Sequence, residues 1–201
     1  MSSFLPRHEQ RLFNGSMSTI AVVVGNPQPA SRTALVAGEV ASQLAARSGA
    51  TVLPTIDLAG YAERIFAYPE AEIDELNAQV AAADVVVIAS PTYKAAYTGL
   101  LKAFLDRYGA GGLSAVTAVP ILTIGSPAHT LAVDTTLRPL LVELGASVPT
   151  RAIAFPAAET GDRARIIGEW VESEYARLDG VLSRRRAPYS APGTASISSR
   201  A

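Results

Sequence analysis

The chain has 201 residues, of which 49% are apolar and 17% charged, with no cysteine, two histidines (His8 and His129) and a formal net charge of −1. At roughly 150 residues per domain this is one domain with ragged ends; zero Cys excludes disulfide scaffolds and thiolate chemistry, and two histidines are too few for a multi-histidine metal centre. The charge is uneven, with +1 on residues 1–16, +4 on residues 183–201 and −6 on the body between them, the reverse of a nucleic-acid-binding domain.

Residues 1–16 read as an extension ahead of Met17, and Phe4-Leu5 runs at once into Arg7, Glu9 and Arg11, so there is no apolar signal core. Thr19–Val24 (TIAVVV) is a buried strand that stops at Gly25-Asn26-Pro27. From Thr33 to Arg47 the period changes, with Leu35 or Val36, Val40 and Leu44 at helical spacing. Thr51–Ile56 is a second strand, 61–69 is irregular, and Glu72–Ala82 is a helix with an acidic start. Asp84–Ala89 (DVVVIA) is the third strand, and Thr98–Tyr108 an amphipathic helix with Leu101, Phe104, Leu105 and Tyr108 on one side. The stretch from Tyr108 to Val133 is uncharged, yet Gly109, Gly111, Gly112, Pro120, Gly125 and Pro127 break any continuous membrane-spanning helix of ~20 residues. It holds instead a fourth strand, Ala115–Ile124. A fourth helix is expected over Leu131–Leu144 despite Pro139, a fifth strand over Ser147–Phe155, and one long closing helix over Asp162–Leu182. Arg184-Arg185-Arg186 opens a basic tail (183–201) whose low-complexity end is expected to be disordered. A soluble, cytoplasmic protein is expected.

Strands apolar on both faces that alternate with helices imply a parallel sheet covered on both sides. The expected fold is an α/β three-layer open sandwich whose five strands run in the order 2-1-3-4-5, with residues 17–182 as its one domain. In such sheets ligands sit beyond the carboxyl ends of the strands, so the loops of interest are Gly25–Thr33, Ser90–Thr98 and Gly125–His129.

The first loop leads into a helix with hydroxyls at Ser31 and Thr33, a cation at Arg32 and outward-facing backbone N–H groups, which suits a phosphate dianion. It has neither the Gly-Lys-Ser/Thr ending of a Walker A loop nor a G-x-G-x-x-G pattern. Equally, Ser31 could serve only as a helix cap and Arg32 as a surface charge. The second loop places Thr92, Tyr93, Lys94 and Tyr97 where they could make a platform for a ring system, or an ordinary loop with tyrosines packed under neighbouring helices.

The run Pro91-Thr-Tyr-Lys-Ala-Ala-Tyr-Thr-Gly-Leu-Leu-Lys-Ala-Phe-Leu-Asp106 closely resembles the signature of flavodoxin-like NAD(P)H-dependent FMN reductases. It is most similar to the reductase components of two-component sulfonate monooxygenase systems. The likeness continues through Gly125-Ser-Pro-Ala-His-Thr-Leu-Ala-Val-Asp134 and Arg138-Pro139, and spans about residues 18–180. It implies an NAD(P)H:FMN oxidoreductase whose first loop, through Ser31, Arg32 and Thr33, binds the FMN phosphate. It implies that Pro91, Thr92, Tyr93 and Lys94 lie along the isoalloxazine ring and meet its polar edge mainly through main-chain groups. It also implies that Gly125, Ser126 and Pro127 close the other side of the flavin pocket. After Ala-Val-Asp134 the better-known sulfonate reductases have a Tyr associated with an irregular helical turn and weak flavin retention, where this chain has Thr135.

No catalytic acid or base and no metal is expected, because hydride transfer from a nicotinamide nucleotide, NADPH or NADH, to FMN needs orientation and electrostatics rather than proton transfer. His129 is read as a structural residue and Asp134 as an i,i+4 partner of Arg138. The resemblance further implies a flavin-dependent monooxygenase as partner and a homodimer or homotetramer, for which the face around Leu100, Leu101 and Phe104 could serve, although core packing accounts for it equally. The competing readings are an FMN-retaining quinone or azo reductase and a flavodoxin-type electron carrier. A body charge of −6 suits the carrier poorly.

Overall fold

The computed structural model describes residues 17–183, so the N-terminal extension and the tail from Arg184 onward lie outside the described residues. Three strands form the centre: β1 (Thr19–Val24), β4 (Val85–Pro91) and β5 (Thr117–Ile124). They pair in parallel, Ile20 opposite Val85 and Val85 opposite Thr117, and of their residues only Pro91 is not buried. Such burial on both faces explains why these runs are apolar without alternation. Along β1, Ala21 and Val23 enter one core layer, with Leu101, Phe104, Leu137 and Leu141, while Ile20, Val22 and Val24 enter the other, with Val36, Val40, Leu44, Ile167 and Val171.

The expected second strand is present in two pieces, β2 (Thr51–Val52) against Thr19 and Ile20, and β3 (Ile56–Asp57) against Val23 and Val24. Pro54 lies between them and has no N–H to give the ladder. Counted as one strand, they complete the expected order, which is observed as β2-β1-β4-β5-β6, with β6 (Ile153–Pro156) at the far edge. The fold is the flavodoxin-like parallel sheet flanked by helices. Helices α1 (Arg32–Ser48), α2 (Ala71–Ala81) and α3 (Gly99–Leu105) follow the reading closely, and Gly49, at φ 76°, ends α1 by returning its N–H to Ala45.

Three elements are shorter than their patterns suggest. Over 147–155 only a bridge at Ser147 precedes β6, because Pro149 interrupts the ladder. The guanidinium of Arg138 holds the detour by donating to the carbonyls of Val148 (2.8 Å) and Thr150 (2.9 Å). The helix over 131–144 opens as a five-residue π turn, Val133–Leu137, before α4 (Arg138–Glu143). Pro139 has no N–H for the carbonyl of Thr135, and the hydroxyls of Thr135 and Thr136 donate back to the carbonyls of Leu131 and Ala132, two devices that widen a helix locally. The closing helix is interrupted too, running as α5 (Arg163–Glu174), a 3₁₀ turn over Tyr175–Arg177 and α6 (Asp179–Leu182). Leu101 and Phe104 are fully buried inside the subunit, so the face around them is core rather than an oligomer surface. Among the described residues no helix is long and apolar enough to cross a membrane.

Candidate functional site

At the carboxyl ends of β1, β4 and β5, where the strand order reverses between β1 and β4, the structure holds a cavity of about 530 Å³. That is within the ordinary range for small-molecule sites and at the switch point where open α/β sheets bind ligands. A smaller depression of about 330 Å³ lies between Arg151 and Trp170 on α5, away from the strand tips.

The α1 side of the cavity is built by side chains. Asn26, buried at the end of β1, accepts from the N–H of Gln28 (2.9 Å) in an Asx turn and donates to the Thr33 hydroxyl (3.2 Å). That hydroxyl also pairs with Thr123 of β5 at 2.8 Å, so one buried chain of polar groups fixes the end of β1, the start of α1 and the end of β5. Ser31 caps α1 by accepting from the N–H of Ala34 (3.2 Å), and Asp57 holds the loop from below by accepting from Ala30 (3.2 Å). Helix geometry leaves the N–H groups of Arg32 and Thr33 without an intrahelical partner at this end, and both residues line the cavity. The Arg32 guanidinium makes one exposed bond, to the carbonyl of Ala157 (3.3 Å), and no ion pair.

The opposite side is built mainly by backbone. Ser90 accepts from the N–H of Thr98 (3.0 Å), and the Thr98 hydroxyl donates to the carbonyl of Gly25, so the root of the second loop is tied to the end of β1. The contact is close enough that a Cβ on Gly25 would stand 2.4 Å from the Cβ of Leu101. Beyond this root the chain makes a two-residue hairpin. Tyr93 and Ala96 exchange N–H···O bonds of 2.8 and 3.2 Å, and Lys94 and Ala95 between them have φ of 52° and 64°. Positive φ at both central positions is the requirement of a type I′ turn, which Asn-Gly meets without strain and Lys-Ala meets at about 1 kcal/mol or more per residue.

Of the residues expected at the site, the structure brings together Ser31, Arg32, Thr33, Pro91, Thr92, Tyr93 and Gly125 around one cavity. Lys94, Ser126 and Pro127 do not line it: Lys94 is at the exposed hairpin tip, and Ser126 caps the 3₁₀ turn Pro127–His129 by accepting from Ala128. The Thr33 hydroxyl is committed inside, to Asn26 and Thr123. In the second loop the N–H of Thr92 goes to Thr123 (2.9 Å) and that of Tyr93 to Ala96, which leaves those of Lys94 and Ala95. Gln28, Pro29 and Ala30, within the first loop but not singled out there, also line the cavity, and sequence reasoning missed Asn26, Thr123 and Ala157 as well. Asn26 alone had a legible signal, the Gly-Asn-Pro turn, whereas Thr123 and Ala157 are placed by β-register and loop return.

Residues 18–160 match the family described as NADPH-dependent FMN reductase, more than half of the chain. The chain belongs to this family. Among solved structures it is similar to the apo form of an NADH:FMN oxidoreductase (EMOB), at 30% identity and a TM-score of 0.74 over 84% of this chain and 92% of that one. An oxidoreductase from Corynebacterium diphtheriae is similar at 29% identity, TM-score 0.65, over 80% of this chain and 98% of the other. A flavodoxin from Streptococcus pneumoniae shares the fold at 15% identity and TM-score 0.53, over 78% of this chain and 99% of that one. No curated protein matches the sequence. The chain is an NAD(P)H:FMN oxidoreductase, using FMN with a reduced nicotinamide nucleotide as electron donor.

The reductase's cavity fits such a flavin on its own evidence. The Thr92 hydroxyl, on the wall, is buried with no hydrogen-bond partner, an arrangement that a polar ligand edge would complete. The walls carry one cation and no carboxylate. The shifted carboxyls are elsewhere: hydrogen bonds from Arg64 and then Tyr61 hold Glu72 below the usual range. Burial pushes the Glu174 carboxyl up, but the N–H and guanidinium of Arg151, together with Arg177, outweigh it and leave the group below its ordinary value.

Proposed function

We propose that the cavity binds FMN with its phosphate at the start of α1 and its ring along the second loop, and that the enzyme supplies reduced flavin to a partner monooxygenase of the two-component, sulfonate-using kind. The observation that carries the site is the convergence in one cavity of the N–H groups of Arg32 and Thr33, an Arg32 guanidinium with no carboxylate partner and the orphaned Thr92 hydroxyl. Ser31 orders the helix start that presents those donors to the phosphate. Pro91, Thr92 and Tyr93 flank the ring, Gly125 faces it from the β5 side, and Ser126 and Pro127 fix that loop from behind. When bound, FMN supplies the two-electron acceptor for the nicotinamide hydride. The chain's share is to bind, orient and exclude water, with main-chain donors aimed at the ring edge where negative charge develops.

The monooxygenase reading is supported by the π turn at Val133–Leu137, in the segment where the resemblance to sulfonate reductases implies an irregular turn, although Thr135 stands where they have Tyr. That substitution bears on flavin retention and keeps the FMN-retaining quinone reductase as the second reading. A homodimer or homotetramer is part of the proposal, and Leu131 and Val142, exposed on the segment that carries the π turn, are apolar surface for it.

Steady-state NADH and NADPH oxidation at varied FMN, run anaerobically, decides between the readings. Saturable FMN dependence with turnover of free flavin supports supply to a partner, and a ping-pong cycle with retained flavin supports the quinone reductase. Arg32→Ala tests the phosphate site. It removes a charge-assisted contact worth ~1.5–3 kcal/mol and is expected to weaken FMN about ten- to a hundredfold while leaving riboflavin binding unchanged. Unchanged FMN affinity would move the phosphate elsewhere.

A further inference from the structure

The described residues contain eleven lysines and arginines, and nine of them, from Arg47 to Arg177, are each paired with a carboxylate. The two that are not are Arg32, on the cavity wall, and Lys94, beside it. Arg32 lines the cavity, and Lys94 follows directly on Tyr93, which lines it and is itself 50% exposed. FMN brings one phosphate, and the start of α1 with Arg32 serves one. A nicotinamide nucleotide brings a pyrophosphate, plus a further 2′-phosphate in its phosphorylated form. It must approach a body that carries −6 over residues 17–182 and therefore repels it. A cation outside the flavin cavity, unneutralised and at its rim, is what such a second anion requires.

We propose that Lys94 is the positioning residue for the phosphates of the nicotinamide nucleotide. The proposal rests on the reading that the cavity holds FMN, and it takes the Lys94 side chain away from the flavin ring, along which the resemblance placed its segment, leaving only its main-chain N–H on that side. The hairpin suits the task. Its tip is fixed by two reciprocal backbone bonds, and a lysine rather than glycine or asparagine occupies a position with φ of 52°. The ammonium acts on the phosphates as a point charge and takes no part in proton transfer.

The test compares Lys94→Gln, Lys94→Arg and Lys94→Asn with the wild-type enzyme at saturating FMN, varying NADPH and NADH separately. FMN affinity is followed independently by quenching of flavin fluorescence. Loss of the charge in Lys94→Gln is expected to raise KM for the nicotinamide nucleotide about three- to tenfold, the range for a partly exposed charge-assisted contact. FMN affinity and kcat stay within about twofold, the fall of kcat/KM with added salt becomes shallower, and Lys94→Arg restores the wild-type values. A rise for NADPH alone puts the contact at the 2′-phosphate, and an equal rise for both puts it at the pyrophosphate; each bears the proposal out. Lys94→Asn separates charge from turn geometry, since asparagine accepts the positive φ yet carries no charge. It must show the same rise as Lys94→Gln, and wild-type KM in Lys94→Asn would overturn the proposal. So would weakened FMN binding with an unmoved nucleotide KM, or no change in either constant. Failure of the flavin-site reading shows separately, as an Arg32→Ala enzyme with undiminished FMN affinity.

Discussion

The strand tips and the outer faces of this reductase are finished to different standards. On the outer faces each described cation has a carboxylate. Arg107, whose side chain is 2% exposed, binds Asp74 at 2.6 Å and the carbonyl of Ala67 at 2.9 Å while its guanidinium lies 4.0 Å over the Tyr68 ring. Arg151 and Arg177 converge on the buried Glu174. At the strand tips two cations stand unpaired, one buried hydroxyl has no partner, and two consecutive non-glycine residues hold positive φ. Buried atoms without a partner also occur elsewhere, at Asn77 Oδ1 and Thr150 Oγ1, so it is the meeting of the Thr92 hydroxyl with unpaired charge and a strained turn that marks the strand tips as the place where a ligand binds. It follows that substitutions on the finished side should cost stability, and those on the unfinished side should cost binding.

Gly25→Ala gives the largest expected effect, because it strikes the joint between the two regimes. The added Cβ meets the Cβ of Leu101 at 2.4 Å and its Cα at 3.2 Å, and the second is backbone that cannot rotate away. The end of β1 and α3 must separate, carrying with them the Thr98 hydroxyl that fixes the second loop. Urea denaturation should show a loss of about 2–3 kcal/mol, with FMN binding lost in parallel. Wild-type stability in this variant would mean that the close approach is not present in solution.

Two threonines then separate the standards within the site itself. Thr33→Val deletes the centre of the buried chain from Asn26 to Thr123 and leaves both ends unpaired, so it should destabilise the fold by about 1–3 kcal/mol. Thr92→Val deletes a hydroxyl that has no partner. Its folding stability should be unchanged or up by as much as about 1 kcal/mol, while FMN affinity falls about five- to tenfold. Thermal denaturation of the flavin-free proteins, followed by flavin titration, checks both. If Thr92→Val destabilised the protein as much as Thr33→Val, the contrast between fixed scaffold and waiting site would be broken.

The same contrast accounts for what could be read from the sequence. The central strands were legible because burial on both faces leaves an unbroken apolar run, as in Thr19–Val24 and Thr117–Ile124. The edges were not, since single prolines decide them: Pro54 divides the second strand and Pro149 shortens the last. The break in the closing helix is invisible to periodicity, because Ile167, Val171, Tyr175, Leu178 and Leu182 keep helical spacing straight through the 3₁₀ turn. In the site, Ser31, Arg32 and Tyr93 were legible as loop residues of the right chemistry. The inward turn of the Thr33 hydroxyl depends on Thr123, ninety residues away, and the exclusion of Lys94 from the cavity depends on a backbone conformation that its side chain does not favour.

The smallest effect tests the finished side by pH. The Glu174 carboxyl is held below its ordinary value in the folded protein, so the unfolded chain binds its proton more readily than the folded one. Stability from this group is therefore fully present above the unfolded carboxylate range near pH ~4.3 and drains away as the pH falls through the lower folded value. Between about pH 6 and 8 it should add no slope. Glu174→Gln keeps an acceptor for the Arg151 N–H but loses the charge facing two arginines whose side chains are 70% and 58% exposed, so water screens much of the loss. The variant should fall only modestly in stability at pH 7, by less than Thr33→Val, and show a flatter decline below pH 5 than the wild type. Its FMN affinity should not move, because Glu174 lies on α5 and outside the cavity wall. A weakened flavin affinity in Glu174→Gln would show that the outer ion pairs and the strand tips are coupled, and that the division between the two regions is less complete than their charge pairing indicates.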